Sequence, residues 1–199
     1  MAASSQERWL GRAFFALLSL VLIGRVWLFE VVSVANDAMA PALLPGELVW
    51  VWRGPLAAVE PGAVVLYEDS GVRGLKRVVA SAGQQVEVTA GVLYLDGQSM
   101  HHGQQPLDWP RGCEVETVTA TIEQWGDRRG AVLPSGDAPM ETLPADHLYI
   151  LGDHRAESSD SRQWGPLPSA SVEGVAGRVL WSRDECGSLR WFRMGARVR

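Results

Sequence analysis

The chain has 199 residues, 47% of them hydrophobic and 21% charged, which suits one domain of ordinary size and one additional segment. The formal net charge of −5 gives no support for nucleic acid as a partner. The two cysteines, Cys113 and Cys186, lack the spacing of a metal site, and the sequence leaves open whether they pair. No metal ion and no cofactor are therefore expected.

An apolar stretch near the N-terminus predicts a membrane anchor. The chain is mostly apolar from Trp9 to Val34, and through Phe29 this run reaches the about 20 residues that a bilayer requires. The uninterrupted core of this run is Ala13 to Gly24, and Arg8 and Arg12 lie before that core, which predicts that the N-terminus is cytoplasmic. We therefore expect a cytoplasmic tail (1–10), a transmembrane anchor (11–33) and an extracytoplasmic domain (34–199).

A cleavable signal sequence is the alternative interpretation of this stretch. Small residues at Ser33 and Ala35 follow the apolar run, as they do at a cleavage site. We favour the anchor because cleavage after Ala35 would cut directly before residues 36–43, which belong to the candidate site described below.

Beyond Val34 the chain consists of short apolar runs separated by glycine and proline, a pattern typical of β-strands. The region between Gln98 and Pro144 is polar, rich in glycine and proline, and contains one alternating strand at 114–122. We therefore predict a mainly β fold, with an antiparallel β core and a smaller β region inserted into it. Other strands are predicted at 48–52, 62–67, 75–80, 85–89, 91–95, 147–151 and 174–181.

The segment from Leu151 to Gly165 has an unusual density of polar side chains directly after an apolar run. It contains three serines, two arginines and several acids. Asp160 and Arg162 are placed to pair and stiffen the loop, which would aim a serine hydroxyl at a partner. An ordinary polar turn after a strand is the alternative interpretation.

Three segments in this order resemble the conserved boxes of the type I signal peptidases, which are membrane-anchored Ser/Lys endopeptidases. Gly-Asp-His at 152–154 and Ser-Ser-Asp-Ser-Arg at 158–162 resemble the last box, which reads Gly-Asp-Asn and then Ser-x-Asp-Ser-Arg. Lys-Arg-Val-Val at 76–79 resembles the lysine box. Asn-Asp-Ala-Met-Ala-Pro-Ala-Leu at 36–43 lies where the family has Ser-x-Ser-Met-x-Pro-Thr-Leu.

The resemblance implies a catalytic dyad whose nucleophile is missing. Lys76 corresponds to the general base and Ser158 to the residue that orients it, whereas Ala38 occupies the position of the nucleophilic serine. Alternation along a strand places Lys76 on the same face as Val78, where burial would lower the pKa of its amine. Asn36 and the backbone N–H of Ala38 correspond to the donors for the oxyanion.

Further residues take structural roles by the same resemblance. The loop is supported by Gly152, Asp153 and the pair Asp160–Arg162, and shallow pockets for small substrate side chains are lined by Val34, Met39 and Leu43. His154 replaces the family asparagine, and we treat it as a neutral substitution. The inserted region would run from about 86 to 146.

The implied function is the removal of signal peptides from secreted preproteins by a single-pass protein of the bacterial inner membrane. The implied partners are these preproteins and the lipid bilayer, and a specialised conjugation or pilus peptidase is a related option. As written, the chain is expected to be inactive at Ala38. That alanine is either an engineered substitution, which the retained Lys76 and Ser158 favour, or the mark of a natural pseudo-peptidase that binds peptides or a partner subunit.

Overall fold

A computed structural model of the chain describes residues 28–55, 59–111 and 114–198, together with Phe15 and Ser19. The predicted tail and most of the predicted anchor lie outside these residues. No helix in the described ranges is both long and apolar enough to cross a membrane.

The largest unit is a seven-stranded sheet that holds the candidate site. Its spatial order is β1-β2-β14-β3-β4-β12-β13, and every pairing in it is antiparallel. The mainly antiparallel β core predicted from the sequence is thus confirmed. The strands are β1 (Phe29–Ser33), β2 (Glu47–Trp52), β3 (Val64–Asp69), β4 (Val72–Ser81), β12 (His147–Leu151), β13 (Leu167–Pro168) and β14 (Val172–Ser182).

The boundary predicted for the anchor is wrong at its C-terminal end. Residues 29–33, assigned to the anchor, form β1 and pair with β2 from Phe29↔Trp52 to Ser33↔Leu48. The apolar side chains that suggested an anchor contact a neighbouring strand here. Phe29 packs edge-on against Trp50 and Trp52, with ring centroids 5.3 and 4.8 Å apart. A neighbouring strand thus satisfies the backbone hydrogen bonds here.

Two smaller sheets come from the region predicted as the insert. One has four strands, β5 (Gln85–Thr89), β6 (Val92–Leu95), β7 (Gln98–Ser99) and β11 (Ala138–Thr142), and the other has three, β8 (His101–Arg111), β9 (Glu114–Trp125) and β10 (Arg128–Val132). The sequence pattern missed β8, which contains Pro106 and Pro110. Proline is tolerated there because β8 is the edge of its sheet.

Short helical turns connect these strands. The described residues contain 3-10 turns at Asp37–Met39, Arg155–Glu157, Ser169–Ser171 and Trp191–Arg193, and an α-helix at Ser161–Trp164. Two of the turns and the α-helix belong to the segments that resemble the family boxes.

The C-terminal segment is bound to the loop that carries residue 38. Glu47 is completely buried, and it accepts hydrogen bonds from Ser182 Oγ at 2.9 Å and from Arg193 Nε at 2.8 Å. Arg193 also donates to the backbone oxygen of Ala42 at 2.8 Å. Arg193 therefore holds the loop at residues 42–47, shortly after residue 38, in place.

Replacing Arg193 with alanine should destabilise the fold by about 3 kcal/mol, because the buried Glu47 carboxylate would lose its counter-charge. The measurement is the urea-unfolding midpoint of the Arg193→Ala chain. The matched control is Arg197→Ala, which removes an exposed arginine of the same segment and should change the midpoint little. Equal midpoints for the two variants would contradict the role given to Arg193.

Candidate active site

Lys76 and Ser158 meet in the interior, although 82 positions separate them in the sequence. Lys76 lies on β4 and Ser158 follows the 3-10 turn at 155–157, and the two residues are 6% and 4% exposed. The Lys76 Nζ donates a hydrogen bond to the Ser158 Oγ at 2.7 Å. The predicted base and the residue predicted to orient it are therefore in direct contact.

The surroundings of Lys76 disfavour its protonated form. Burial lowers the pKa of Lys76 below its usual 10.5, and the carboxylates of Asp160 and Asp153 oppose the shift without cancelling it. A buried amine with one hydroxyl acceptor is therefore closer to its neutral, basic form at physiological pH than a solvated lysine is.

Ala38 lies against the same loop. It is 7% exposed, and its carbonyl accepts a hydrogen bond from the backbone N–H of His154 at 3.1 Å. A side-chain carbon added to Gly152 would overlap both the Ser158 Oγ and the Ala38 carbonyl oxygen. The glycine predicted as structural therefore allows the serine loop to approach the backbone of residue 38.

The two residues predicted to donate to an oxyanion are bonded to each other. The backbone N–H of Ala38 donates to the side-chain oxygen of Asn36 at 3.2 Å, which caps the short turn at 37–39. By resemblance to the family, this N–H was expected to donate to an oxyanion. In this structure a substrate oxygen would have to replace or share the Asn36 acceptor.

An arginine–carboxylate fork stiffens the loop around Ser158. Arg162 donates to both Asp160 oxygens, at 2.8 and 2.9 Å, and the fully buried Asp160 also accepts from the N–H of Gly152 at 3.0 Å. The remaining Arg162 donors bond to the backbone oxygens of Ser135 and Arg155. One carboxylate therefore fixes both ends of the serine loop.

A second buried ion pair fixes Asp153. Arg77, the residue after Lys76, donates to the two Asp153 oxygens at 2.7 and 2.6 Å, and both side chains are 1% exposed. Arg77 also lies over the ring of Trp125, 5.2 Å from its centroid. The residue after Lys76 is thus held by its ion pair with Asp153.

A cleft of about 480 Å³ leads to Lys76 and its hydrogen bond with Ser158. One wall is residues 32–35, which include the end of β1, and the other is residues 72–76 of β4, with Ala38 and Met39 at the base. Of the three residues predicted to form substrate pockets, Val34 and Met39 line this cleft and Leu43 does not. Leu43 is completely buried in a core cluster that also contains Val49 and Val179.

Tyr67 also lines this cleft, and no sequence motif pointed to it. Tyr67 on β3 pairs with Gly74 on β4, and a side-chain carbon at Gly74 would lie 3.3 Å from the Tyr67 ring. The missing side chain thus leaves room for the ring at the cleft wall. The only sequence signal was the glycine within an otherwise regular strand.

His154 does not reach the dyad through its side chain. Its ring packs edge-on against Trp109 of β8, with centroids 4.9 Å apart. Trp109 in turn belongs to a cluster with Ala40 and Leu44, in the loop after residue 38. The strand missed by the sequence pattern therefore supports the candidate site.

Comparison with known proteins agrees with the resemblance drawn from the three boxes. Probable signal peptidase I-1 of Synechocystis is 27% identical over 187 residues, and the match covers 88% of this chain and 83% of the Synechocystis protein. Signal peptidase I of Pseudomonas fluorescens is 26% identical over 216 residues, covering 88% and 72%. A solved signal peptidase I from Enterococcus faecalis is 24% identical, and the match covers 61% of this chain and 98% of the Enterococcus chain with a TM-score of 0.38.

The family described as signal peptidase, peptidase S26, matches residues 7–181, which include all three boxes and most of the chain. On that match, the chain belongs to the signal peptidase family, peptidase S26.

Proposed function

We propose that the fold is that of a Ser/Lys endopeptidase that removes signal peptides from secreted preproteins, and that Ala38 disables it. The observation that carries this proposal is the buried 2.7 Å hydrogen bond between Lys76 and Ser158, beside the backbone of residue 38. A desolvated amine is the base that a serine hydroxyl would need at neutral pH. Lys76 is also the only lysine in the chain.

With serine at position 38, the reaction would proceed in two halves. The neutral Lys76 amine takes the proton of the serine hydroxyl while the serine oxygen attacks the peptide carbonyl carbon, and the ammonium then protonates the departing amine. In the second half Lys76 takes a proton from water as the water oxygen attacks the acyl ester, and the ammonium then returns that proton to the departing serine oxygen. Ser158 accepts the hydrogen bond that orients the amine.

The cleft is suited to an extended peptide with small side chains. Its walls, residues 32–35 and 72–76, are segments of strands on which a substrate can add as a further strand. Val34 in one wall and Met39 at the base present apolar side chains to the cleft. These features support preproteins that are cut after small residues.

Membrane attachment is part of the proposal, with a single-pass anchor and the catalytic domain on the extracytoplasmic side of the bacterial inner membrane. Cys186 is disulfide-bonded, which fits an oxidising compartment. Large apolar side chains are exposed near β1 and β14, including Val31 (54%), Trp181 (41%), Trp191 (68%) and Phe192 (82%). Trp50 and Trp52, half-buried against Phe29, lie on the same part of the sheet.

A natural pseudo-peptidase that binds peptides is the second candidate. The hydrogen bond from the Ala38 N–H to Asn36 favours it, because an oxyanion donor that is already occupied suits binding better than catalysis. The two functions differ in what a restored serine would do.

Ala38→Ser should restore cleavage of a preprotein in reconstituted membranes, since losing such a nucleophile costs on the order of 10⁶ in turnover. Adding Lys76→Met to that variant should lower the rate by roughly 10²–10⁴ because the general base is removed. Ala42→Ser is the matched control, with a hydroxyl in the same loop but at the wrong position. If Ala38→Ser leaves the preprotein intact, the peptidase proposal fails and the binding function is favoured.

The amine of Lys76 should titrate below 10.5, because burial disfavours its charge. Isotope labelling of lysine gives one NMR signal, since the chain has one lysine, and its pH titration measures the pKa directly. Between the lowered pKa and 10.5 only the unfolded chain keeps the proton, so the free energy of unfolding should rise with pH in this window. The rise should be absent in Lys76→Met, and a titration midpoint at 10.5 would show a solvated amine instead.

Trp191 should contact lipid if the exposed apolar patch lies in the bilayer. In vesicles with brominated acyl chains, Trp191→Phe should reduce the quenched part of the fluorescence, because it removes a reporter and keeps an apolar contact. Trp125→Phe is the control, since Trp125 is 4% exposed and should not be quenched. Unchanged quenching in Trp191→Phe would place the patch outside the bilayer.

A further inference from the structure

Four charged side chains form a closed ring beside the outer end of the cleft. Arg53 donates to Glu30 at 2.9 Å and to Glu173 at 3.2 Å, and Arg73 donates to the same two carboxylates at 2.7 and 2.6 Å. Each member thus contacts both members of opposite charge. The side chains are 21–39% exposed, so the ring lies at the surface.

The ring joins two strands that are not neighbours in the sheet. Glu30 is on β1 and Arg73 is on β4, and the sheet order separates these strands by β2, β14 and β3. A 2.7 Å bond between them means that the sheet curls until its β1 edge faces β4. The bond therefore crosses the gap between the two walls of the cleft.

The position of the ring sets the length of this gap. Arg73 precedes Lys76 by three residues, and an extended chain rises about 3.3 Å per residue, so the ring lies roughly 10 Å along the wall from the dyad. Val72 and Val32 are the outermost wall residues that line the cleft; Arg73 is next to Val72, and Glu30 lies just beyond Val32. An extended peptide whose first residue lies beside Lys76 therefore reaches the ring at about its fourth residue.

The charges of the ring also disfavour apolar side chains at the outer end of the cleft. An apolar side chain pressed against it would remove water from four charges, which is unfavourable. Each half-exposed pair contributes little by itself, but each arginine here is held by two carboxylates at once.

We infer that the ring is a latch that fixes the spacing of β1 and β4 and closes the outer end of the groove. A bound strand is limited to about four residues before the scissile bond, and the apolar core of a signal peptide stays outside. Arg73 is the positioning residue, since it alone joins Glu30 to the opposite wall. The nature of the bound strand rests on the proposed function, whereas the latch rests on these contacts.

The structure offers a matched pair of variants to test the latch. Arg73→Gln and Arg53→Gln each remove one arginine of similar exposure that bonds both glutamates, but only Arg73→Gln cuts the bond across the gap. Glu30→Gln removes the other half of that bond and should behave like Arg73→Gln. Circular dichroism checks that each variant folds.

The first measurement needs no ligand. Spin labels on Ser33→Cys and Val72→Cys, one on each wall, report the distance across the gap in the full chain in detergent micelles. We expect a narrow distribution in the parent and in Arg53→Gln, and a clearly broader one in Arg73→Gln. A distribution for Arg73→Gln as narrow as that of the parent would overturn the latch.

The second measurement is the affinity of the uncleaving full chain for fluorescent peptides. The peptides end in alanine and lengthen from three to eight residues toward their N-terminus. We expect affinity to rise up to about four residues and then level off in the parent and in Arg53→Gln, and to continue rising about threefold to tenfold in Arg73→Gln. The same plateau in all three chains would overturn the limit on groove length. Failure of the parent to bind any peptide would overturn the proposed function, while the distances still decide the latch.

Discussion

The buried hydrogen bond from Lys76 to Ser158 is the contact on which the arrangement of this chain depends. An amine in an apolar interior is costly unless its charge is lost or paired, and here it has a hydroxyl as its acceptor. That solution requires the serine loop to be brought to within hydrogen-bond distance of β4 and kept there. Much of the surrounding structure serves this requirement.

Two carboxylates hold the loop without contributing to the dyad contact itself. Asp160 binds Arg162 and the N–H of Gly152, and Asp153 binds Arg77. Both carboxylates are buried, so each needs a partner with fixed geometry, and the arginine fork supplies it. The same charges limit how far the pKa of Lys76 falls, so the site balances burial against two nearby negative charges.

The division of labour between arginine and lysine follows the same physics. All but one of the 18 basic residues are arginine, and the single lysine is the residue at the dyad. Arginine keeps its charge when it is buried, which suits Arg77 and Arg193 in their ion pairs, whereas lysine can lose its proton. Position 76, buried against a hydroxyl, is the place in this chain where a lysine stands instead of an arginine.

The sequence by itself determined the strands whose side chains alternate or run apolar, and it singled out the segments that carry Lys76 and Ser158, because these signals are local. Tertiary structure decided the rest. Residues 29–33 became a strand because β2 lies beside them, and Leu43 became core instead of pocket because it packs with Val49 of β2 and Val179 of β14. The Ala38 N–H was taken by a neighbouring side chain, a choice of rotamer that no pattern encodes.

The hydropathy pattern also did not predict contacts between residues that are far apart in the chain. Arg193 binds Glu47 across 146 positions, and Arg73 meets Glu30 only because a seven-stranded sheet curls. A hydropathy pattern shows which side chains should be buried, but it does not show which charges will meet inside. Those partners are fixed by the curvature of the sheet and by the need to pair every buried charge.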